Sequence, residues 1–279
     1  MEHRDELVER IATHGTQTNE VNRAVYVAVG LAAATVDRPD RPVALVELGA
    51  SAGLLLGVDR YAVELSSPGN RVLLGDPASP VRCSGVDRAD VGVDLAQRGL
   101  GLPRVRGRVG LDVAPVDLDD DEAVRWLEAC LWPEVPGRIK RFRSARDLVR
   151  RDPPRVLRGD MVDGLPDAVE RARAAGSQTL NASIASALDP ARRGDLVNHL
   201  RSLAHDVPDL TWLSAEPPGC VPGMPVPDDV VEGGTVIGLS RWRSGVELAP
   251  VTLGTCHPHG AWIDVDPALI DALAEIANS

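Results

Sequence analysis

Apolar and polar positions along the chain follow strand-like and helix-like patterns in turn, and one short segment is the clearest. Val43–Leu48 is an apolar run interrupted only by Glu47, and Pro42 and Gly49 bound it on either side. A short apolar run with breakers at both ends is typical of a strand buried on both faces. The sequence therefore predicts a buried strand here, preceded by helical patterns in the first forty residues.

Further strand patterns alternate with helical patterns after this segment. They lie at residues 108–113, 155–160, 179–184, 210–216, 235–242 and 246–254. Such alternation predicts right-handed βαβ units and a parallel sheet, whereas the last two patterns, with no helix between them, predict an antiparallel edge. We therefore expect an α/β fold, with a Rossmann-like, doubly wound, mostly parallel seven-stranded sheet and an antiparallel last strand.

Residues 62–107 interrupt this rhythm, because they are rich in Gly, Pro and Ser. Strand patterns at residues 70–74 and 81–84, joined by residues 76–80, predict a β-hairpin insertion. We expect residues 1–279 to form a single domain, in which residues 1–40 are a helical N-terminal cap.

Charge and composition exclude several classes of function. The 279 residues include 30 basic and 41 acidic ones, a formal net charge of −11, whereas a nucleic-acid binder typically carries a basic stripe. The four cysteines lie too far apart for a zinc site or a disulfide scaffold. The longest apolar stretch, residues 25–36, is too short for a bilayer span of about 20 residues. We expect a cytoplasmic protein with a small-molecule substrate and with no nucleic acid, membrane or metal; the oligomeric state is left open.

Residues 49–53, directly after the first strand, match two different motifs. As Gly-x-Ser-x-Gly they match the nucleophile elbow of α/β-hydrolases, in which Ser51 would be the nucleophile and His257 or His259 its base. With Glu47 they also match Glu-x-Gly-x-x-x-Gly, which resembles the first motif of Rossmann-like methyltransferases that use S-adenosylmethionine. The residues before the loop look helical and contain no glycine-rich oxyanion loop of the hydrolase type, which favours the methyltransferase.

The resemblance to these methyltransferases implies S-adenosylmethionine as the cofactor and gives roles to individual residues. Asp112, after the second strand, would bind the ribose hydroxyls, and Asp76 is a rival for this role. Asp160, after the third strand, would accept a hydrogen bond from the adenine amino group. The cofactor-binding residues implied in this way are Glu47, Gly49, Ala50, Ser51, Gly53, Asp112, Asp160 and Met161.

Motifs from about residue 15 to residue 265 also resemble a bacterial family of uncharacterised proteins, a domain of unknown function. This resemblance implies a methyltransferase-like fold but no established reaction. Leu55 stands where family loops often have Asn, so one polar contact is missing here. The motifs are QTNE at residues 17–20, LVELGASAGL at 45–54, DRY at 59–61, GLD at 110–112, WL at 126–127, WP at 132–133, GD at 159–160 and HPHG at 257–260.

The chemistry is expected beyond the carboxyl ends of the strands, where doubly wound sheets bind their ligands. The candidate catalytic residues are His257 and His259, which flank Pro258, and Asn181 in the fourth strand; the two histidines could equally stabilise a turn. The polar segment 17–23 is either a lid over the cofactor or a capped linker. Besides a methyltransferase acting on a small molecule, two alternatives stay open: a serine hydrolase that uses Ser51, and a non-catalytic ligand-binding protein with the same fold.

Overall fold

The computed structural model describes residues 4, 8, 11–12, 15–17, 19–132, 134–174, 178–183, 188–228 and 230–275, and of residues 178–183 and 275 the backbone alone. In this part of the chain two 3₁₀ helices, Val21–Arg23 and Leu55–Arg60, accompany the strands and α-helices. The strands are β1 (Val43–Leu48), β2 (Ala62–Ser67), β3 (Asn70–Gly75), β4 (Arg82–Asp87), β5 (Val105–Asp112), β6 (Arg155–Arg158), β7 (Gln178–Ser183), β8 (Asp209–Glu216), β9 (Thr235–Arg243), β10 (Val246–Glu247), β11 (Val251–Cys256) and β12 (Trp262–Val265). The helices are α1 (Ala24–Ala34), α2 (Val91–Gln97), α3 (Asp121–Ala129), α4 (Arg138–Val149), α5 (Leu165–Arg173), α6 (Pro190–Leu203) and α7 (Pro267–Glu275).

One sheet contains all of these strands, in the order β3-β2-β4-β12-β11-β9-β8-β7-β1-β5-β6, with β10 paired to β9. The five neighbours β6, β5, β1, β7 and β8 run parallel to one another. The pairs β8–β9, β9–β11 and β11–β12 are antiparallel. The expected mixed α/β sheet, mostly parallel with antiparallel strands at the end of the chain, is confirmed. The expected count of seven strands is wrong, because the described sheet has twelve strands and includes those of the insertion.

Helices cover both faces of the sheet, and β1 shows how the two faces separate. All six residues of β1 are buried. Because successive side chains of a strand point to opposite faces, Val43 and Leu45 pack in one core cluster with α1, α3 and α4, while Ala44, Val46 and Leu48 pack in a second cluster with α5 and α6. β1 is therefore buried on both faces, as its apolar pattern predicts.

The helical N-terminal region is confirmed for α1, which follows the first 3₁₀ helix. Every residue of α1 is buried, as expected of a helix that is apolar on all sides. It lies against β2, β4, β8 and β9. The helix expected around residues 7–12 lies largely outside the described residues.

The strands of the predicted insertion pair differently from the prediction. The hairpin joins β2 to β3 through Pro68 and Gly69, whose φ of 82° is the left-handed conformation that glycine adopts readily. Residues 82–87 form β4, which runs parallel to β2 on one side and to β12 on the other. The predicted hairpin turn at residues 76–80 is wrong: these residues connect β3 to β4. α2 and the start of β5 complete residues 62–107.

Gly107 shows how closely α5 lies on β5. A Cβ atom added at Gly107 would lie 2.2 Å from the carbonyl oxygen of Ala172 in α5, a backbone atom that moves only with its helix. We expect Gly107→Ala to lower the free energy of unfolding by about 1–3 kcal/mol, as overpacking of a core does. The measurement is the urea midpoint at an unchanged m-value.

Gly194→Ala is the matched control for this substitution. Gly194 lies in α6, and a Cβ atom added there would meet nothing within 4 Å. The control should raise the free energy of unfolding by about 0.5–1 kcal/mol, because alanine favours a helix more than glycine does. Equal effects of the two variants would contradict the close packing of α5 on β5.

Candidate functional site

A cavity of about 250 Å³ lies between the carboxyl ends of β1 and β8 and the segment of residues 19–27. β7 lies between these two strands in the sheet. Parallel α/β sheets bind ligands at this edge, and a largely apolar cavity with a few polar groups is typical of a ligand site. The lining includes apolar side chains of Val21, Val27, Leu48, Leu54, Leu55, Leu213 and Ala215, and polar ones of Asn19, Glu20, Arg23, Tyr26, Glu47, Ser51, Glu216 and Thr235.

Glu47 places a carboxyl group in the wall of this cavity. The alternation along β1 turns its side chain to the face of Leu45, which is the face that α1 covers. Glu47 is 8% exposed, and its Oε2 atom is buried without a hydrogen-bond partner among the described residues. Burial raises the pKa of Glu47 to about 8, although the nearby Arg23 and a hydrogen bond from the Leu56 backbone act in the opposite direction. The side chain can therefore exchange a proton near neutral pH.

The turn after β1 has the tight backbone that its glycines predict. Gly49, Ser51 and Gly53 have φ angles of 75°, 51° and 69°, all in the left-handed region. Gly49, Ala50 and Ser51 line the cavity. Gly53 instead faces Pro154, whose side chain would lie 2.7 Å from a Cβ atom added there.

Ser51 is held by two amide side chains of the N-terminal segment. Its Oγ atom accepts a hydrogen bond from Asn19 Nδ2 at 3.0 Å and donates one to Gln17 Oε1. A serine nucleophile needs a base within hydrogen-bond distance, and an amide oxygen is not such a base. Among the described residues, the hydroxyl of Ser51 therefore has no partner of the hydrolase type.

Asp112 ends β5, as the sequence predicts, but it does not line the cavity. Its Oδ2 atom accepts a hydrogen bond from the backbone N–H of Ser51 at 2.7 Å, and its Oδ1 atom accepts one from the backbone of Ala114 at 2.8 Å. The carboxylate therefore stabilises two loops at the end of the sheet. Its rival Asp76 lies after β3, far along the sheet from β1.

Asp160 follows β6, as predicted, and it also lies outside the lining of the cavity, as does the adjacent Met161. Its Oδ1 atom accepts a hydrogen bond from the backbone of Val162 at 2.8 Å and forms an ion pair with Arg192 in α6. Burial alone would raise the pKa of Asp160, but hydrogen bonds from the backbones of Asp163 and Val162 and from Arg192 lower it. The carboxylate is ionised and already bound to donors of this chain.

His257 and His259 lie close together beside the cavity, and Pro258 between them is part of its wall. His257 Nδ1 accepts a hydrogen bond from the backbone of His259 at 3.0 Å, and Arg138 Nη2 donates one to His259 Nδ1 at 2.9 Å. Burial and the charge of Arg138 lower the pKa of both imidazoles. Each ring thus has one nitrogen occupied in fixing this turn. For Asn181, in β7, the structure describes the backbone alone.

The polar segment at residues 19–23 is the wall of the cavity opposite β1. Glu20 forms a buried ion pair with Arg138 and accepts a hydrogen bond from the backbone of Asn22 at 2.9 Å. Asn22 Nδ2 donates to the carbonyl oxygens of Ser84 and Gly260, both at 3.0 Å. These contacts attach the segment to α4, to β4 and to the turn of the two histidines.

Arg23 and Tyr26 are two lining residues that the sequence analysis missed. Arg23 ends the first 3₁₀ helix, and its Nε atom is buried without a hydrogen-bond partner among the described residues. Tyr26 lies in α1, and burial raises the pKa of its hydroxyl far above the ordinary value. The sequence indicates these two residues only by the change from a polar segment to an apolar helix. The fold is needed to show that this junction lies over the end of β1.

These features define a mixed α/β protein with a cavity at the carboxyl edge of its sheet. The chain belongs to a family described as an uncharacterised protein conserved in bacteria (DUF2332), whose profile matches residues 1–265. This confirms the bacterial family that the motifs indicated. Searches of curated proteins and of solved structures found no match. In the described part of the chain, no helix is long and apolar enough to cross a membrane, and no group of three or more His, Cys, Asp or Glu side chains is placed to hold a metal ion.

The raised pKa of Glu47 predicts how stability changes with pH. The ordinary pKa of the side chain is 4.5 and the folded value is about 8, so between these values the folded state holds more protons than the unfolded state. Wild-type stability therefore falls as the pH rises through this range. Glu47→Gln lacks this titration, and its free energy of unfolding should exceed that of the wild type by an amount that grows up to about pH 8, by at most about 1.4 kcal/mol per pH unit. Urea unfolding between pH 4 and pH 9 measures this difference.

Glu128→Gln is the control, with the opposite sign. A hydrogen bond from Arg143 lowers the pKa of Glu128, so this variant should be slightly less stable than the wild type above about pH 4.5, the ordinary pKa. A difference between Glu47→Gln and the wild type that did not change with pH would contradict an uncompensated buried carboxyl group.

Glu128→Gln is also the control for a test of the ion pair that holds residues 19–23, the cavity wall opposite β1. Glu20 and Arg138 have side chains that are 2% and 6% exposed, whereas Glu128 and Arg143 are 23% and 59% exposed. We expect Glu20→Gln to lower the free energy of unfolding by about 3–5 kcal/mol, because it leaves a buried guanidinium uncompensated. Glu128→Gln should change it by less than about 1 kcal/mol. Similar values for both variants in urea unfolding would show that the buried pair does not hold the segment.

Proposed function

We propose that this protein binds a small molecule with a positively charged amino group in the cavity beside Glu47. The observation that carries the proposal is the Oε2 atom of Glu47, which is buried in the cavity wall without a partner among the described residues. Leaving a buried acceptor unsatisfied costs about 1–3 kcal/mol, and more for a charged group. A ligand ammonium group would supply the missing donor and the missing charge.

Glu47 also supplies the chemistry that this site supports best. A carboxyl group with a pKa of about 8 holds its proton in the empty cavity at pH 7. An approaching cation favours the ionised form, so binding releases that proton. Groups with such a pKa serve as general acids and bases in enzymes, because both forms are populated near neutral pH. If the bound molecule reacts, Glu47 is the residue placed to accept or return a proton.

The test is calorimetry and thermal shift with organic amines, using alcohols of the same carbon skeleton as neutral controls. We expect amines to bind and alcohols not to bind, with a release of protons seen at pH 7 in two buffers of different ionisation enthalpy. Glu47→Gln should weaken amine binding at least tenfold. Glu64→Gln is the matched control, because Glu64 lies in β2, away from the cavity, and is partly exposed. Absence of binding by any amine, or equal binding by both variants, would refute the proposal.

Methyl transfer from S-adenosylmethionine is the second candidate. In its favour, the five parallel strands follow the order 3-2-1-4-5 when they are numbered along the chain, as in Rossmann-like sheets. The ammonium and sulfonium groups of this cofactor suit Glu47, and Gly49, Ala50 and Ser51 line the cavity. Its nucleoside half fits less well, because Asp112 and Asp160 bind donors of this chain and lie outside the cavity. The complete cofactor therefore does not fit a site in which Glu47, Asp112 and Asp160 all contact it, and no chemical step is assigned to it.

Calorimetry with S-adenosylmethionine and S-adenosylhomocysteine decides this candidate. Methyl transfer predicts that both bind and that Asp160→Ala removes binding, while Asp167→Ala, in an exposed ion pair on α5, leaves it unchanged. No heat and no thermal shift from either compound would eliminate it. Cofactor binding without turnover of any methyl acceptor would favour a non-catalytic binding protein.

The left-handed φ of 51° at Ser51 is the one observation that favours a serine hydrolase, since a nucleophile elbow is strained in this way. Its hydrogen bonds to Gln17 and Asn19 count against it. Labelling by a fluorophosphonate that is lost in Ser51→Ala would support hydrolysis. Absence of labelling is the expected result.

A further inference from the structure

The cavity contains a second side chain with an atom that lacks a partner, and its charge is opposite to that of the ionised form of Glu47. Arg23 lines the cavity, and its Nε atom is buried without a hydrogen-bond partner among the described residues. Arg23 and Glu47 are close enough to influence each other electrostatically, yet no salt bridge joins them in the described part of the chain. The backbone holds each in its own place, Arg23 at the end of a 3₁₀ helix and Glu47 in a buried strand. Both residues thus line the same cavity, and each has one buried side-chain atom without a hydrogen-bond partner among the described residues.

The remainder of the wall contains a larger number of apolar side chains than of polar ones, the polar ones being those of Asn19, Glu20, Tyr26, Ser51, Glu216 and Thr235. Val27 from α1, Leu54 and Leu55 from the turn after β1, and Leu213 from β8 all line the cavity. A ligand that carried charges over its whole length would leave some of them against these side chains without hydration, which is unfavourable. The wall therefore fits a molecule whose two charged groups lie together at one end and whose remaining part is apolar.

The volume of the cavity further limits which classes of ligand fit. Its volume of about 250 Å³ is below the roughly 300–1,000 Å³ that is typical of sites for drug-sized ligands. A free amino acid is smaller than such ligands, whereas a nucleoside-containing cofactor would extend beyond this volume.

We propose that the ligand is a free α-amino acid with an apolar side chain, whose carboxylate binds Arg23 and whose ammonium group binds Glu47. This inference rests on the proposed function, to which it adds the class of the ligand. An arginine guanidinium binds a carboxylate through charge-assisted hydrogen bonds, and Glu47 provides the complementary acceptor for the ammonium group. Neither a simple amine nor a simple carboxylic acid satisfies both groups.

The experiment uses the full chain and fifteen compounds in calorimetry at pH 7.5. Leucine, isoleucine, valine, methionine and phenylalanine are each compared with their amide, which has lost the anionic charge, and with their N-acetyl form, which has lost the cationic charge. We expect at least one free amino acid to bind, and both of its blocked forms to bind at least tenfold more weakly.

Two variants separate the two charges. Glu47→Gln should weaken the free amino acid and its amide but leave the residual binding of the N-acetyl form unchanged. Arg23→Gln should weaken the free amino acid and the N-acetyl form but leave the amide unchanged. Arg23→Lys, which keeps the charge, should recover part of the affinity, and Arg143→Gln, in an exposed pair on α4, is the control. The thermal midpoint of each variant is measured first, so that loss of folding is distinguished from loss of binding.

The outcomes separate this inference from the function on which it rests. Amides that bind as tightly as free amino acids, with no effect of Arg23→Gln, would overturn the inference and leave the binding of cations at Glu47 intact. Binding of S-adenosylmethionine without binding of any free amino acid would also overturn it. Absence of binding by every amine and amino acid would overturn both.

Discussion

The wall of the cavity depends on one buried ion pair, which joins Glu20 to Arg138. Removing both charges from water is costly, so a buried pair is not in itself a source of stability. Here the carboxylate also accepts a hydrogen bond from the backbone of Asn22 and forms a weaker pair with Arg141. The pair therefore acts mainly on position: it fixes residues 19–23 to α4 and sets the direction in which α1 begins. Without this attachment the edge of the sheet beside β1 would be open to water.

The properties of Glu47 follow from that closure. A carboxylate at the end of a strand in open solvent would keep its hydration and its ordinary pKa. Under α1 and the wall segment it loses that hydration, and the neutral form becomes the favoured one. The same segment brings Arg23 into the wall of the cavity, where no salt bridge joins it to Glu47 among the described residues. Buried polar atoms without partners are unfavourable in the free protein, and a complementary molecule that supplied those partners would relieve this cost.

Local sequence was sufficient for the parts of the fold that local forces determine. The continuous apolar run predicted β1, the glycines predicted the tight turn after it, and the uninterrupted apolar segment predicted α1. The pairing of the insertion could not be predicted in this way, because β4 lies against β12 from the far end of the chain. The lining of the cavity could be predicted only in part, for the same reason. Glu47 and Ser51 were recognised as candidates, but Arg23 lines the same cavity only because tertiary contacts place the N-terminal segment there.

The acids that end the strands differ in what their oxygens are free to bind, and side-chain length explains much of the difference. Asp112 and Asp160 are short enough to accept a hydrogen bond from the backbone two residues further on, at Ala114 and at Val162, as aspartates in turns commonly do. Glu47 lies one residue before the end of β1, so its side chain extends across the face of the sheet instead of turning back on the loop. Among the described residues, the buried polar atoms that lack partners at this edge therefore lie on β1 and on the wall opposite it, whereas the acids at the ends of β5 and β6 hold the loops around the cavity.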